Sequence, residues 1–280
     1  MKKNPADAST VVLLRTCPDN STRDIEVLMV RRNQTSSFVP GFYVFPGGVV
    51  DPEDFENGIE RFIRGVDRVS ASRLLYDIKS AGKALGTWVA AIRETFEEVG
   101  ILFAQKKDGT PVAIGTGEER RRFCNHRQSL IENKMLFSQV LEAEELLLPL
   151  DRLHYFSHWI TPEFLPLRYD VRFFVAEMPP DQDVMHDGVE LTGHVWIRPS
   201  EALRQYEQGM LDMVLPQIMT LEDLKNFKTV AEVIDSSLKR HISATLTKIQ
   251  RIGGKDVEVM PDGSVFESRP PVYSWPDKDG

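Results

Sequence analysis

Arg93-Glu94-Thr95-Phe96-Glu97-Glu98-Val99-Gly100 decides how this chain is read. The stretch reads as the last turns of a helix, with three carboxylates inside five residues. Helix positions three and four apart are neighbours, so Glu94 faces the same side as Glu97 and Glu98. Like charges at that spacing repel, and the macrodipole disfavours anions near a helix C-terminus. Each effect costs from a few tenths to about 1 kcal/mol. A bound cation would reverse the balance, and a hard divalent ion, Mg²⁺ or Mn²⁺, suits carboxylate oxygen. The competing account is a solvated acidic face, because Glu is also a good helix former.

A second segment lies upstream: Tyr43-Val44-Phe45-Pro46-Gly47-Gly48-Val49-Val50-Asp51-Pro52-Glu53-Asp54. It follows a strand-like run. The glycine pair permits a tight turn and a close backbone approach to a ligand. Its carbonyls are neutral oxygen donors that can join the carboxylate cluster, and Asp51, Glu53 and Asp54 add acid nearby.

The two segments resemble the two halves of a Nudix box, Gly-x5-Glu-x7-Arg-Glu-U-x-Glu-Glu-x-Gly-U, where U is a bulky apolar residue. Arg93, Glu94, Glu97, Glu98, Gly100 and Ile101 match the second half, with Thr95 at a U position. In the first half Gly48 takes the Gly position, and Asp54 stands where the pattern has Glu. About forty residues separate Asp54 from Arg93 where the pattern has seven. The resemblance therefore puts an insertion at about residues 55–86. Residues 36–51, 158–162, 168–175 and 196–203 are similar to an insertion-containing Nudix branch that includes mammalian peroxisomal CoA and acyl-CoA diphosphatases. The similarity covers about residues 8–225.

The resemblance implies an α/β fold: a Nudix-type α/β/α sandwich with a helical insertion inside the box and extra C-terminal helices. The domain would span 8–240, followed by an extension over 241–280 of no assigned role. The implied activity is hydrolysis of a pyrophosphate bond in a nucleoside diphosphate linked to another moiety. CoA or acyl-CoA stands ahead of ADP-ribose, dinucleotides and nucleotide sugars, and the implied partner is a small-molecule nucleotide derivative. Pyrophosphate is itself anionic, so the carboxylates act on it through Mg²⁺ or Mn²⁺, which bridges enzyme and phosphate and neutralises charge. Glu97 and Glu98 are then the principal metal ligands, Glu94 a ligand or water-orienting base, and the Gly48 carbonyl a further ligand. Arg93 becomes a scaffold cation that orients a carboxylate or the glycine loop; its plain alternative is a helix ion pair. Glu190 is a candidate for a downstream catalytic base or, alternatively, a surface-loop residue. Arg31 and Arg32 end a strand near the glycine turn. A guanidinium suits bidentate contact with substrate phosphate, and a solvated strand end is the alternative. A rival reading is a non-catalytic Nudix module that binds a nucleotide derivative, motivated by Asp54 and the stretched spacer. A third is a helical interaction protein that uses residues 117–148.

Composition narrows the classes. Hydrophobic residues make up 41% of the 280 residues and charged residues 27%, which is ordinary for a globular protein with a sizeable core. A net charge of -8 gives no broad electrostatic footprint for nucleic acid. Arg120, Arg121, Arg122 and Arg127 form a local basic patch, read as a solvated helix face. Cys17 and Cys124 cannot build a disulfide framework, and no apolar run is long enough to span a membrane. Without a signal-like start or a peroxisomal C-terminal tripeptide, a cytoplasmic protein is expected. A homodimer is left open.

Along the chain, residues 10–16 and 25–32 read as a strand hairpin with a turn at 18–21. Residues 44–45 and 49–50 read as short strands flanking the glycine turn. Phe62, Val66 and Val69 space as one helical stripe of the insertion, and Leu74, Leu75 and Ile78 as another. Thr87 is the expected N-cap of the helix that ends at Val99, with Gly100 at its C-cap. Its buried side is Trp88, Ala91, Ile92, Thr95, Phe96 and Val99. Strands follow at 101–104, 153–160, 171–178 and 191–197. Helices are expected over 117–148, from 199, and over 215–227 and 230–238. The tail reads as extended segments with a turn at 261–263.

Overall fold

Ala8 and the unbroken run from Val11 to Leu14 are buried, so the first strand, β1 (Ala6–Thr16), is covered on both faces. A continuous apolar run of this kind marks a strand in the middle of a sheet with layers on either side. The computed structural model describes residues 4–18, 24–36, 38–56, 58–163, 165–186 and 188–267. Residues 19–21 of the expected turn lie outside them.

After β1 come β2 (Ile25–Arg32), β3 (Tyr43–Val44), β4 (Gly47–Val49) and β5 (Ile63–Arg64). Helices α1 (Arg68–Leu74), α2 (Ala81–Val99), α3 (Gly117–Ile131) and α4 (Phe137–Ala143) follow. Then come β6 (Leu148–Pro149), β7 (His154–Ile160), β8 (Tyr169–Glu177) and β9 (Leu191–Ile197). Next are α5 (Pro199–Glu207), α6 (Leu215–Leu224) and α7 (Val230–Ser237). The chain closes with β10 (Thr245–Leu246), β11 (Lys248–Ile252), β12 (Lys255–Val259) and β13 (Val265–Phe266).

Eight of these strands form one mixed sheet. Along one edge β1 pairs antiparallel with β4 and then with β2. Along the other it runs parallel to β8 from Ala6↔Tyr169 to Leu14↔Glu177. The period-2 alternation of the strand sorts its side chains into two cores. Val11 and Leu13 pack with α2 and its neighbours, and Val12 and Leu14 with α5, α6 and α7. The result is the expected α/β/α sandwich. Among the described residues no helix is long and apolar enough to cross a membrane.

Helix α2 starts earlier than expected. Ser80, not Thr87, is its N-cap and accepts the Lys83 N–H at 3.3 Å. Thr87 lies inside the helix and bonds back to the Lys83 carbonyl at 3.0 Å. Gly100 does close the helix, with φ 72°, a left-handed turn that a glycine adopts without strain. The insertion is only partly helical. Its one α-helix is α1, and residues 59–62 form a 3-10 turn. Phe62, Leu75 and Ile78 are buried, whereas Val69 and Leu74 are exposed. Residues 101–104 are not a strand. They are buried coil, and the Gln182 side chain binds both the N–H and the carbonyl of Leu102 at 2.9 Å. The tail is extended as read, but it is not a separate body: β10 adds to the main sheet beside β7, with Thr245 opposite Trp159.

Candidate active site

Helix α2 lies across β1 and β4, so its C-terminal carboxylates meet the glycine turn. Glu98 Oε2 accepts the Gly47 N–H at 2.9 Å. An added Cβ at Gly48 would overlap the Glu94 carboxylate, so only glycine lets the turn come this close. Glu94, Glu98, Gly47 and Gly48 line one end of a cavity of about 350 Å³, together with Arg32 and Glu190. Ser9 and Thr10 of β1 line it too, as do Trp159, Tyr169, Phe173, Gln217 and Glu258.

Arg93 is buried beneath this end. Its Nε and Nη2 donate to Asp54 at 2.8 and 2.9 Å, and Nη2 also reaches the Val49 carbonyl at 3.0 Å. Its Nη1 donates to Glu94 at 3.0 Å and lies 3.5 Å from Glu97. Burial works against this charge, but the Asp54 hydrogen bonds and the Glu94 charge hold the guanidinium firmly protonated. One side chain thus joins the segment before the insertion to the helix after it. Thr95, at the position where an apolar residue was expected, is buried and satisfied by its 2.7 Å bond to the Ala91 carbonyl.

The carboxylates are held at an electrostatic cost. Burial pushes Glu94 up to about 7, with Glu97 adding repulsion against the pull of Arg93. Glu98 is pushed well above the usual range by burial and then by the Glu94 charge. Burial also raises Glu97. Arg127 of α3 eases the helix end by donating to the carbonyls of Glu97 and Glu98, both at 2.7 Å. A cation at a helix C-terminus is stabilising by about 0.3–1 kcal/mol. Arg127 is therefore a buried cap, not part of a solvated basic face. The hard oxygens of Glu94, Glu98 and the Gly48 carbonyl, short of positive charge, are a donor set that fits Mg²⁺ or Mn²⁺.

The sequence-predicted residues separate into two groups. Glu94, Glu98, Gly48, Arg32 and Glu190 come together at the cavity. Glu97 does not line it and faces Arg93 instead. Arg31 also lies off the cavity, near the Gly41 carbonyl at 3.4 Å and over the Tyr43 ring. A different cluster, Asp77, His158 and Asp170, brings ligand-type atoms within 4.8 Å of one another. There Arg172 pairs with both carboxylates and His158 with Asp170, so the cluster already carries its own cation.

The family model described as the NUDT19 Nudix domain matches residues 6–224. The chain belongs to this Nudix family. Its acyl-coenzyme A diphosphatase NUDT19 relative from Xenopus laevis is 28% identical over 240 residues, covering 76% of this chain and 63% of the relative. The NUDT19 relative from Gallus gallus is 26% identical over 242 residues, covering 75% and 64%. The chain thus spans less than two thirds of the length of these curated relatives. A crystal structure of a NUDIX hydrolase from Alicyclobacillus acidocaldarius superposes with a TM-score of 0.67 at 28% identity, covering 84% of this chain and 97% of that one. The two segments that the insertion splits in sequence meet in space, where Arg93 pairs with Asp54. What the sequence did not disclose is the far wall of the Nudix cavity. Thr247 and Glu258 come from the tail, beyond the family match, and Gln217 from α6. No motif marks them, because their place depends on the pairing of β10 with β7.

Proposed function

We propose that the protein is a divalent-metal-dependent hydrolase that cleaves the pyrophosphate bond of a nucleoside-diphosphate-linked small molecule, CoA or acyl-CoA foremost. The observation that carries the proposal is the convergence of Glu94, Glu98 and the Gly47–Gly48 turn at one end of a cavity of mixed polar and aromatic lining. The relatives named as acyl-coenzyme A diphosphatases support the substrate class.

Glu94, Glu98 and the Gly48 carbonyl would hold the metal. When bound, it supplies charge neutralisation for the pyrophosphate and a lowered pKa for attacking water. Arg93 fixes Glu94 from below and keeps the helix and the glycine turn in register. Arg32, on the cavity wall with its Nε on the Phe38 carbonyl at 3.0 Å, is suited to a substrate phosphate oxygen. Glu190, also on the wall, would take a proton from water or keep a like charge from binding there. Trp159, Tyr169 and Phe173 exclude water around the rest of the substrate.

The test is product analysis by mass spectrometry on CoA, acetyl-CoA, ADP-ribose, NADH and diadenosine polyphosphates, with and without Mg²⁺ or Mn²⁺. Metal-dependent release of 3′,5′-ADP and phosphopantetheine, reduced at least about a hundredfold in Glu98→Gln, is the expected result. Cleavage of another substrate would keep the chemistry and replace the specificity. One observation favours a second reading, a nucleotide-binding module without turnover: Glu97 is turned to Arg93 and away from the cavity. Tight ligand binding with no product from any substrate would select it.

A further inference from the structure

Several polar atoms of the cavity wall have no role in the chemistry above. Among the described residues, Ser9 Oγ, Trp159 Nε1, Gln217 Oε1 and Glu258 Oε1 are buried without a hydrogen-bond partner. All four residues line the same cavity, and each is at most 8% exposed. A buried polar group left unpaired costs about 1–3 kcal/mol. Four around one chamber describe the complement of a ligand.

Glu258 stands out among them. Its Oε2 takes the Thr247 hydroxyl at 2.7 Å, which satisfies that oxygen and orients the carboxyl. Thr247 follows β10, the strand that adds to the sheet beside Trp159. The tail therefore brings Glu258 and Thr247 to the cavity that the indole of Trp159 also lines. A purely structural carboxyl would need only the Thr247 bond; among the described residues its second oxygen meets no donor.

We propose that Glu258 is a specificity-determining residue whose free carboxyl oxygen accepts a hydrogen bond from the exocyclic amine of an adenine-type base held in this cavity. The proposal rests on the nucleotide reading above and deepens it. The pattern of unpaired atoms supports it: two acceptor oxygens, on Glu258 and Gln217, beside one indole N–H donor. An amine-bearing purine offers N–H donors beside ring-nitrogen acceptors, and the aromatic rings of Tyr169, Phe173 and Trp159 suit its planar face. An acyl or alkyl chain in the same place would leave every one of these polar atoms unpaired. With Glu258 ionised, a 6-oxo purine would set a carbonyl against its lone pairs, and sites built around a hydrogen bond reject such mismatches strongly.

The experiment measures binding, so it does not depend on turnover. The full chain, with Mg²⁺, is titrated by calorimetry at about pH 8.5, where Glu258 is ionised, with the α,β-methylene analogues of ADP and IDP. Wild type is expected to bind the adenine analogue at least about tenfold more tightly. In Glu258→Gln an amide N–H can face the ligand, and the ratio is expected to shift toward the hypoxanthine analogue by at least about tenfold. An unchanged ratio in a variant that binds both analogues would overturn the proposal. Should that variant fail to fold, wild type decides alone: equal affinity for the two analogues overturns it. If wild type binds neither analogue and also cleaves nothing in the substrate panel, the nucleotide reading falls first. If the panel is cleaved but the ratio does not respond to Glu258, only the present proposal falls.

Discussion

Glu94 and Glu258 both line the cavity, and each is pushed up to about 7 from 4.5, chiefly by burial. Between those two values the folded chain keeps protons that the unfolded chain has released, so stability falls as pH rises through the window. A shift of that size corresponds to about 3 kcal/mol for each group. Metal-free protein should therefore melt lower at pH 8 than at pH 5, and Glu258→Gln should flatten the profile. Thermal melts of both proteins across that range check this, and a pH-independent gap between them would show that Glu258 does not titrate in the window. At this scale the sequence was legible where chemistry is crowded locally. Glu94, Glu98 and Gly48 were readable because the box keeps its residues at helical and turn spacing. The pairing of Glu97 with Arg93 is local and was among the alternatives, whereas the anchoring of Arg93 by Asp54, 39 residues away in the chain, was not legible. Glu258 was not, because a single carboxylate in an extended tail has no spacing to betray it.

Helix α2 and the insertion before it pose the question of why a split box still closes. Lengthening a loop is entropically cheap: going from seven residues to about forty costs about 1.5 kcal/mol of closure. Ile59, Phe62, Leu75 and Ile78 of the insertion are buried against the core that includes Trp88 and Phe96, and each buried side chain of this size contributes about 1.5–3 kcal/mol. Burial of these four side chains offsets the closure cost. Leu75→Ala should then lower unfolding stability by about 2–5 kcal/mol while leaving metal-dependent turnover in place at temperatures where the variant is folded. Urea unfolding and initial rates on one preparation separate the two effects; a loss of rate without a loss of stability would make the insertion part of the catalytic apparatus. The elements themselves were unevenly readable. Residues 25–32 and 191–197 match β2 and β9 at both ends, because β-branched and aromatic alternation is bounded by polar turns. The start of α2 was missed by several residues, since Gly82 and Gly86 look like breakers, and a Cβ at Gly86 would press on Phe55 of the insertion. Residues 101–104 have strand composition, but the Gln182 amide supplies the partners a neighbouring strand would have given.

Across the whole molecule the sheet is assembled from segments far apart in the chain. β1 pairs with β2 through a short connection, and with β8 across more than half of the sequence. Non-local pairing of this kind slows folding, so refolding should proceed in two stages, with the β1–β2 amides protected before the β1–β8 amides. Pulse-labelled hydrogen exchange resolves the order, and simultaneous protection of both sets would refute it. The parallel pairing of β1 with β8 also has a consequence for synthesis in the cell. A strand with apolar residues on both faces leaves the ribosome well before the residues that cover its second edge, which are made about 160 positions later. At about 5–20 residues per second that is a wait of roughly 8–30 s, during which an unpaired apolar strand edge is open to strand-to-strand pairing with other nascent chains. The time the edge stays uncovered, more than the finished fold's stability, would set how strongly this chain depends on chaperones as it is made.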